Sequence, residues 1–130
     1  MKPIPYGAIV SADLTVDLPK DLQDFYAAVA GWQFESLEMT DGESSYDDYV
    51  SKDVDGNWVG GLCHSRGANT GIPPQWIIYI NVPDVSAGVK SCIAKGGSVV
   101  KEARGSDGSL HYAIIQDPLG TVFGLTSVKQ

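Results

Sequence analysis

The sequence predicts an α+β fold built from two modules, each with the order strand, helix and three strands. Three observations predict it: a turn motif that occurs twice, two helices with start and stop signals, and short apolar runs separated by turn residues. The chain has 130 residues, of which 43% are hydrophobic and 19% charged, as in folded globular domains. Each module is too short to bury a core alone, so we expect one domain spanning residues 1–130.

The repeated turn motif relates residues 50–62 to residues 114–126. Three residues of the first segment recur 64 positions later in the second: Asp53 as Asp117, Gly56 as Gly120, and Gly60 as Gly124. Both segments are typical of a strand, a tight turn and a second strand. The turn glycine is expected to adopt a positive φ, which other residues resist.

The first module is expected to span residues 8–65. A strand at 11–16 leads into a helix with Asp17 as N-cap, Pro19 in the first turn and Gly31 at the end. An apolar stripe at helical spacing is expected to face the core: Leu22, Phe25, Tyr26 and Val29. Strands are predicted at about 33–39, 45–52 and 58–64.

The second module is expected to span residues 75–128, after a linker at 65–74 rich in Gly, Pro, Ser and Asn. A strand at 77–82 leads into a helix with Asp84 as N-cap, which ends at Gly96 and Gly97. Three strands follow at about 98–103, 111–116 and 122–128. The two modules therefore have the same predicted order, βαβββ.

Charge and composition narrow the classes of function. The net charge of −7 disfavours binding to nucleic acid or to anionic membrane surfaces. No apolar run is long enough to cross a bilayer, and the N-terminus lacks the apolar stretch of a signal peptide, so we expect a cytoplasmic protein. Cys63 and Cys92 are expected to be free thiols.

Several motifs, in this order, resemble the glyoxalase / bleomycin-resistance / extradiol dioxygenase superfamily, also called vicinal oxygen chelate. The resemblance runs from about Ile9 to Leu125 and rests on these pieces: Asp17-Leu18, Phe25-Tyr26, Gly31-Trp32, Val82-Pro83-Asp84-Val85 and Gln116-Asp117-Pro118-Leu119-Gly120. It implies that the two βαβββ modules form a glyoxalase-like pair of incomplete barrels, whose concave faces make a pocket.

Many proteins of this superfamily bind a divalent metal in that pocket. The resemblance carries the four ligand positions over to Ser11, Gly60, Ile77 and Gly124. Glycine and isoleucine have no side-chain donor atom, and a serine hydroxyl is a poor lone ligand. We therefore expect no metal and no other cofactor. The glycines would instead leave space for an organic ligand.

Strand alternation selects the candidate ligand-binding residues, which are expected to face the pocket. They are Ser11, Asp13, Trp58, Gly60, Ile77, Tyr79 and Gly124. On the strands that end each module, Leu62, Val122 and Thr126 are expected to face the pocket too. Asp13 interrupts an apolar strand: it is either a pocket carboxylate that binds a cation or acts as a base, or a structural acid with hydrogen-bond partners. Tyr79 and Trp76 are either pocket residues or ordinary core.

Four functions remain open. The first is a metal-free binding protein for a small, partly apolar and cationic organic molecule. The second is a metal-independent isomerase or lyase, with Asp13 as base and Tyr79 as hydrogen-bond donor. The third is a metal-dependent glyoxalase or dioxygenase, and the fourth a structural or regulatory module. The expected partner is a small organic molecule, and a homodimer is compatible with the sequence.

Overall fold

The computed structural model describes residues 3–128, apart from the side chains of residues 41 and 68; the extreme N-terminal residues considered above lie outside this range. It confirms the α+β class and the βαβββ order of both modules. The elements are β1 (Ile9–Val16), α1 (Gln23–Ala30), β2 (Gln33–Asp41), β3 (Ser44–Lys52), β4 (Trp58–His64), β5 (Trp76–Asn81), α2 (Val85–Ala94), β6 (Ser98–Arg104), β7 (Leu110–Gln116) and β8 (Val122–Thr126). Neither helix in this described range is long and apolar enough to cross a membrane.

The chain divides into two compact units. The first unit is Ala12–Trp76, and the second comprises residues 3–11 and 77–128 of the described chain. In this division the residues before Ala12 belong to the second unit, and the expected module bounds, 8–65 and 75–128, stay predictions.

In the first unit, the strands lie in the order β2-β3-β4-β1. β1 runs parallel to β4, and the other neighbours are antiparallel. A 3₁₀ turn at Pro19–Leu22 precedes α1. Gly31 ends the helix at a φ of 72°, as predicted, and its N–H donates to the carbonyl of Ala27.

The start of α1 differs from the prediction. Asp17 does not cap the helix; its carboxylate accepts a hydrogen bond of 2.6 Å from the Ser65 hydroxyl. Phe25 and Val29, expected in the core, are 55% and 69% exposed. Of the expected stripe, only Leu22 and Tyr26 are half-buried, and the inward face of α1 is the one that carries Tyr26.

An aromatic cluster holds α1 in the first unit. Tyr26 stacks on Trp32 with ring centroids 5.5 Å apart, and both rings meet Trp76 edge to face. The indole N–H of Trp76 donates to the Tyr26 hydroxyl at 3.1 Å. Trp76 therefore packs with α1, as the core alternative for this residue required.

In the second unit, the strands lie in the order β5-β8-β7-β6, with β5 parallel to β8. The prediction that Asp84 caps α2 is confirmed, because its carboxylate accepts a hydrogen bond from the N–H of Ala87. The helix packs on the sheet through a buried apolar cluster of Val85, Val89, Ala113, Ile115 and Leu125. Burial of this face is the main stabilisation of the unit.

The repeated turns have the same hydrogen bonds in both units. Asp53 Oδ1 accepts from the N–H groups of Asp55 and Asn57. Asp117 Oδ1 accepts from the N–H groups two and four residues later. Gly56 and Gly120 have φ values of 82° and 98°, which confirms the reason for glycine at these turns.

These turns predict a dependence of stability on pH. Hydrogen bonds from Asn57 lower the pKa of Asp53, and hydrogen bonds from Ser109 lower the pKa of Asp107 in another hairpin turn. A lowered pKa contributes stability above the unfolded value of 3.8, and this contribution is lost as the pH falls through the folded pKa. We expect the double variant Asp53→Asn and Asp107→Asn to lose less stability than the wild type between pH 4.5 and pH 2.5, roughly the window of aspartate titration. Urea unfolding across this range measures the difference, and parallel curves for the two proteins would contradict it.

Candidate functional site

Asp13 lies at the centre of the candidate site, on β1 of the first unit. Its register partner on β4 is Gly61, whose N–H donates a hydrogen bond to the Asp13 carboxylate. A Cβ atom at residue 61 would lie 2.6 Å from Asp13 Oδ1. The carboxyl group therefore occupies the space that a side chain would fill, and glycine at residue 61 makes this position available.

A β-bulge changes the faces expected on β4. Lys52 pairs with Trp58, but Ser51 pairs with Gly60, so Val59 is an extra residue in β4. After the bulge, equivalent residues of the two units are one position closer in the sequence than the repeated turns indicate. Gly61 opposes Asp13 as Gly124 opposes Tyr79, so Gly61 rather than Gly60 is the counterpart of Gly124.

Gly60 and Leu62 were predicted to lie on the sheet face of Asp13, and this prediction is wrong because of the bulge. A Cβ atom at Gly60 would meet the carbonyl oxygen of Ala12 at 2.5 Å, and Leu62 is buried at 1% exposure. Trp58 precedes the bulge and pairs with Lys52, which shares a strand face with Val50, the partner of Gly61. Trp58 therefore lies on the Asp13 face of the sheet, 69% exposed.

Asp48 of β3 and Cys63 of β4 lie on the same sheet face as Asp13, and the charge of Asp48 acts on Asp13. The Cys63 thiol donates a hydrogen bond to the Asp48 carboxylate. Asp48 also accepts a hydrogen bond of 2.8 Å from the main-chain N–H of His64, and its Oδ1 lies 3.4 Å from His64 Nδ1. We call Asp13, Asp48, Gly61 and Cys63 the Asp13 cluster.

The surroundings of the Asp13 cluster raise the pKa values of Asp13 and Cys63. Burial raises the pKa of Asp13, the hydrogen bond from Gly61 opposes this shift, and the charge of Asp48 adds to it. Burial, the charges of Asp13 and Asp48, and the hydrogen bond to Asp48 raise the pKa of the Cys63 thiol. The thiol is therefore a poor nucleophile, whereas Asp13 is a stronger proton acceptor than an ordinary aspartate.

The other predicted site residues lie in the second unit. Ser11 is exposed, Ile77 is 1% exposed and Tyr79 is 8% exposed. Gly124 is buried, and a Cβ atom there would collide with the Tyr79 ring. The expectation that Gly60 and Gly124 enlarge a pocket is therefore wrong: a main-chain carbonyl and the Tyr79 ring occupy these spaces.

A small cleft lies at the carboxyl ends of β1 and β4 in the first unit. It has a volume of about 210 Å³ and is lined by Thr15, Val16, Asp17, Ser65, Ile72 and Pro74. Thr15 follows Asp13 by two residues and shares its strand face. One residue that lines the cleft therefore lies on the strand face that carries Asp13.

The residues at the positions expected for metal ligands do not fit a divalent ion. Ser11, Gly60, Ile77 and Gly124 provide one weak donor, and replacing Gly60 by its structural counterpart Gly61 adds none. Within residues 3–128, no group of three or more His, Cys, Asp or Glu side chains is arranged to hold a metal ion.

The sequence indicated Asp13 as a candidate site residue but not Gly61 or Asp48. For Cys63 it predicted only a free thiol. The bulge explains the first omission, because counting from the turn places the wrong glycine opposite Asp13. Asp48 stands beside Asp47 in a polar stretch, and nothing in the sequence separates the buried aspartate from the exposed one.

The chain matches the family model of the glyoxalase-like domain over residues 10–126. It is 29% identical over 119 residues to a protein of Mycobacterium tuberculosis named "Putative glyoxylase CFP32", and to its namesake in Mycobacterium bovis. This stretch covers 92% of the chain and 43% of those relatives, so the chain spans less than half of their length.

Similar solved structures have the same fold at low identity. One is a variant of Streptomyces coelicolor methylmalonyl-CoA epimerase in complex with 2-nitronate-propionyl-CoA, with a TM-score of 0.58, 16% identity and 95% of both chains covered. Another is methylmalonyl-CoA epimerase from Mycobacterium tuberculosis, with a TM-score of 0.54, 15% identity, and 100% of this chain and 94% of that chain covered. The match over nearly its whole length shows that the chain belongs to the glyoxalase-like domain family.

Proposed function

We propose that the chain binds a small organic molecule at the Asp13 face of its first unit, with the Asp13 carboxyl group as the recognition element. One observation carries this proposal: a half-buried carboxyl group occupies a space that exists because residue 61 is glycine. Placing a charge there costs free energy, which a ligand with a cationic or hydrogen-bond-donating group would recover.

Two features of the first unit favour a ligand that is both apolar and cationic. Trp58 lies on the same sheet face as Asp13 and is 69% exposed, so its ring is available for stacking. The net charge of −7 attracts cations to the protein as a whole.

Binding is tested by following tryptophan fluorescence while the protein is titrated with cationic aromatic amines and, separately, with acyl-CoA thioesters. We expect a cationic aromatic molecule to bind, and Asp13→Asn to weaken binding by about tenfold to a hundredfold, which is the value of a charged hydrogen bond. Binding of the cation weakens as the pH falls through the pKa of Asp13, because the protonated carboxyl has no charge.

Asp24→Asn is the matched control, since it removes one negative charge from an exposed position on α1. It should leave binding unchanged. Asp13→Asn should not unfold the protein at neutral pH, because a raised pKa means that the ionised carboxyl destabilises the fold. Equal affinity of the Asp13→Asn variant and the wild type would refute the role of Asp13.

The raised pKa of Asp13 also favours a second candidate function, a metal-independent isomerase or lyase. Asp13 would accept a proton from an acidic carbon of the substrate, with the electron pair remaining on the substrate as an enolate. Acyl-CoA thioesters are suitable probes because the epimerases of similar fold were solved with such ligands.

Catalysis of this kind exchanges the acidic C–H hydrogen of the substrate with solvent. Proton NMR in D₂O should show loss of the signal of the hydrogen on the carbon next to the thioester. The Asp13→Asn variant should not show this loss. Binding without exchange would leave the first proposal standing and remove the second. The homodimer, the cytoplasmic location and the hydrogen-bonding role of Tyr79 stay predictions.

A further inference from the structure

Asp48 is the most enclosed member of the Asp13 cluster. Its exposure is 4%, although a carboxylate is costly to bury without hydrogen-bond donors. The structure supplies donors from β4: the main-chain N–H of His64 at 2.8 Å and the Cys63 thiol. Asp48 thus joins β3 to the end of β4 through its side chain.

Side chains around the end of β4 enclose this carboxylate. The His64 ring, whose Nδ1 lies 3.4 Å from Asp48 Oδ1, packs edge to face on Tyr46 with centroids 5.2 Å apart. The Arg66 guanidinium lies 4.2 Å from the centroid of the same tyrosine ring. Water is largely excluded, so the charge of Asp48 acts on its neighbours with little screening.

We propose that Asp48 is a positioning residue of the Asp13 site: its carboxylate accepts from the N–H of His64 and so holds the end of β4 against β3, and it places a second, buried negative group on the sheet face that carries Asp13. The inference rests on the proposed function, because it assigns the residue that sets when the Asp13 carboxyl is ionised. The charge of Asp48 of β3 acts on Asp13, the charge of Asp13 acts on Cys63 of β4, and His64 faces Asp48 from the end of β4.

The pKa of Asp13 supports this geometry, because the charge of Asp48 is among the causes that raise it. The same two carboxylates raise the pKa of Cys63. Removing the charge of Asp48 should therefore ease ionisation of both Asp13 and Cys63.

The test is an NMR titration of the Asp13 side-chain carboxyl carbon in ligand-free protein, for the wild type, Asp48→Asn and Asp47→Asn. Asparagine at residue 48 keeps an oxygen that accepts from His64 and removes the charge. The control removes the same charge from the neighbouring exposed residue of β3. We expect the midpoint pH of the Asp13 titration (the Asp13 midpoint) to be lower in Asp48→Asn than in the wild type. In Asp47→Asn it should stay at the wild-type value.

The alkylation rate of Cys63 by iodoacetamide is the second readout. It should rise at a given pH in Asp48→Asn, because the thiolate forms more readily, while Cys92 serves as an internal reference. An unchanged Asp13 midpoint in Asp48→Asn, or equal shifts in both variants, overturns the proposal. Neither readout needs a ligand, so their outcome is independent of whether a ligand is found.

If Asp48→Asn does not fold, Cys63→Ala and Cys63→Ser replace it. Serine keeps a hydroxyl donor to Asp48 and alanine does not, so the Asp48 charge is less neutralised in the alanine variant. We expect the Asp13 midpoint to lie at higher pH in Cys63→Ala than in Cys63→Ser. Equal midpoints, or the reverse order, overturn the proposal.

Discussion

Replacing Asn81 by alanine is expected to lower the free energy of unfolding by about 2–4 kcal/mol, because it removes the hydrogen bonds that a fully buried side chain makes to both ends of the second unit. The Asn81 side chain is fully buried. Its amide nitrogen donates to the carbonyl oxygens of Ile4 and Pro5 at 3.2 and 3.4 Å, and its oxygen accepts from the N–H of Val128 at 2.8 Å. One side chain thus fastens both chain ends of the second unit to β5.

Urea unfolding of Asn81→Ala and of Asn57→Ala measures the effect with a matched control. The Asn57 amide also donates to a partner, Asp53 Oδ2 at 3.1 Å, but in an exposed turn where water can replace it. We expect Asn57→Ala to cost about 1 kcal/mol or less. Hydrogen exchange at the Val128 amide should also accelerate in Asn81→Ala; similar unfolding energies for the two variants would show that the buried network contributes little.

The sequence predicted what local chemistry determines. The Asp53 and Asp117 turns form from hydrogen bonds within five residues, and their glycines need a positive φ that the sequence alone reveals. The N-cap of α2 at Asp84 is local in the same way. The βαβββ order and the family resemblance follow from the positions of these signals along the chain.

The prediction failed where distant residues decide the structure. Asp17 has the sequence position of a helix cap, but Ser65, 48 residues later in the chain, takes its carboxylate. The extra residue in β4 has no local signal, yet it reverses the faces expected for Gly60 and Leu62. Asp48 is buried because the end of β4 folds against it, which no pattern within β3 indicates.

The position of Gly124 leads to the second large expected effect. This residue was expected to leave an empty space in a pocket, but the Tyr79 ring lies where its Cβ atom would be. Because Gly124 is buried and paired with Tyr79 across β5 and β8, neither strand can move away freely. We expect Gly124→Ala to lower the free energy of unfolding by about 2–3 kcal/mol through overpacking.

A double-mutant cycle with Tyr79→Ala separates this steric cause from an effect of alanine on the strand. Tyr79→Ala alone removes a large buried ring, which contacts Tyr112 edge to face at 6.0 Å, and should cost about 3–5 kcal/mol. In that background the collision is gone, so Gly124→Ala should be neutral or slightly stabilising, since glycine weakens a strand. An undiminished cost in the double variant would mean that residue 124 needs glycine for a reason other than the ring; a vanished cost would assign Gly124 to the packing of the second unit.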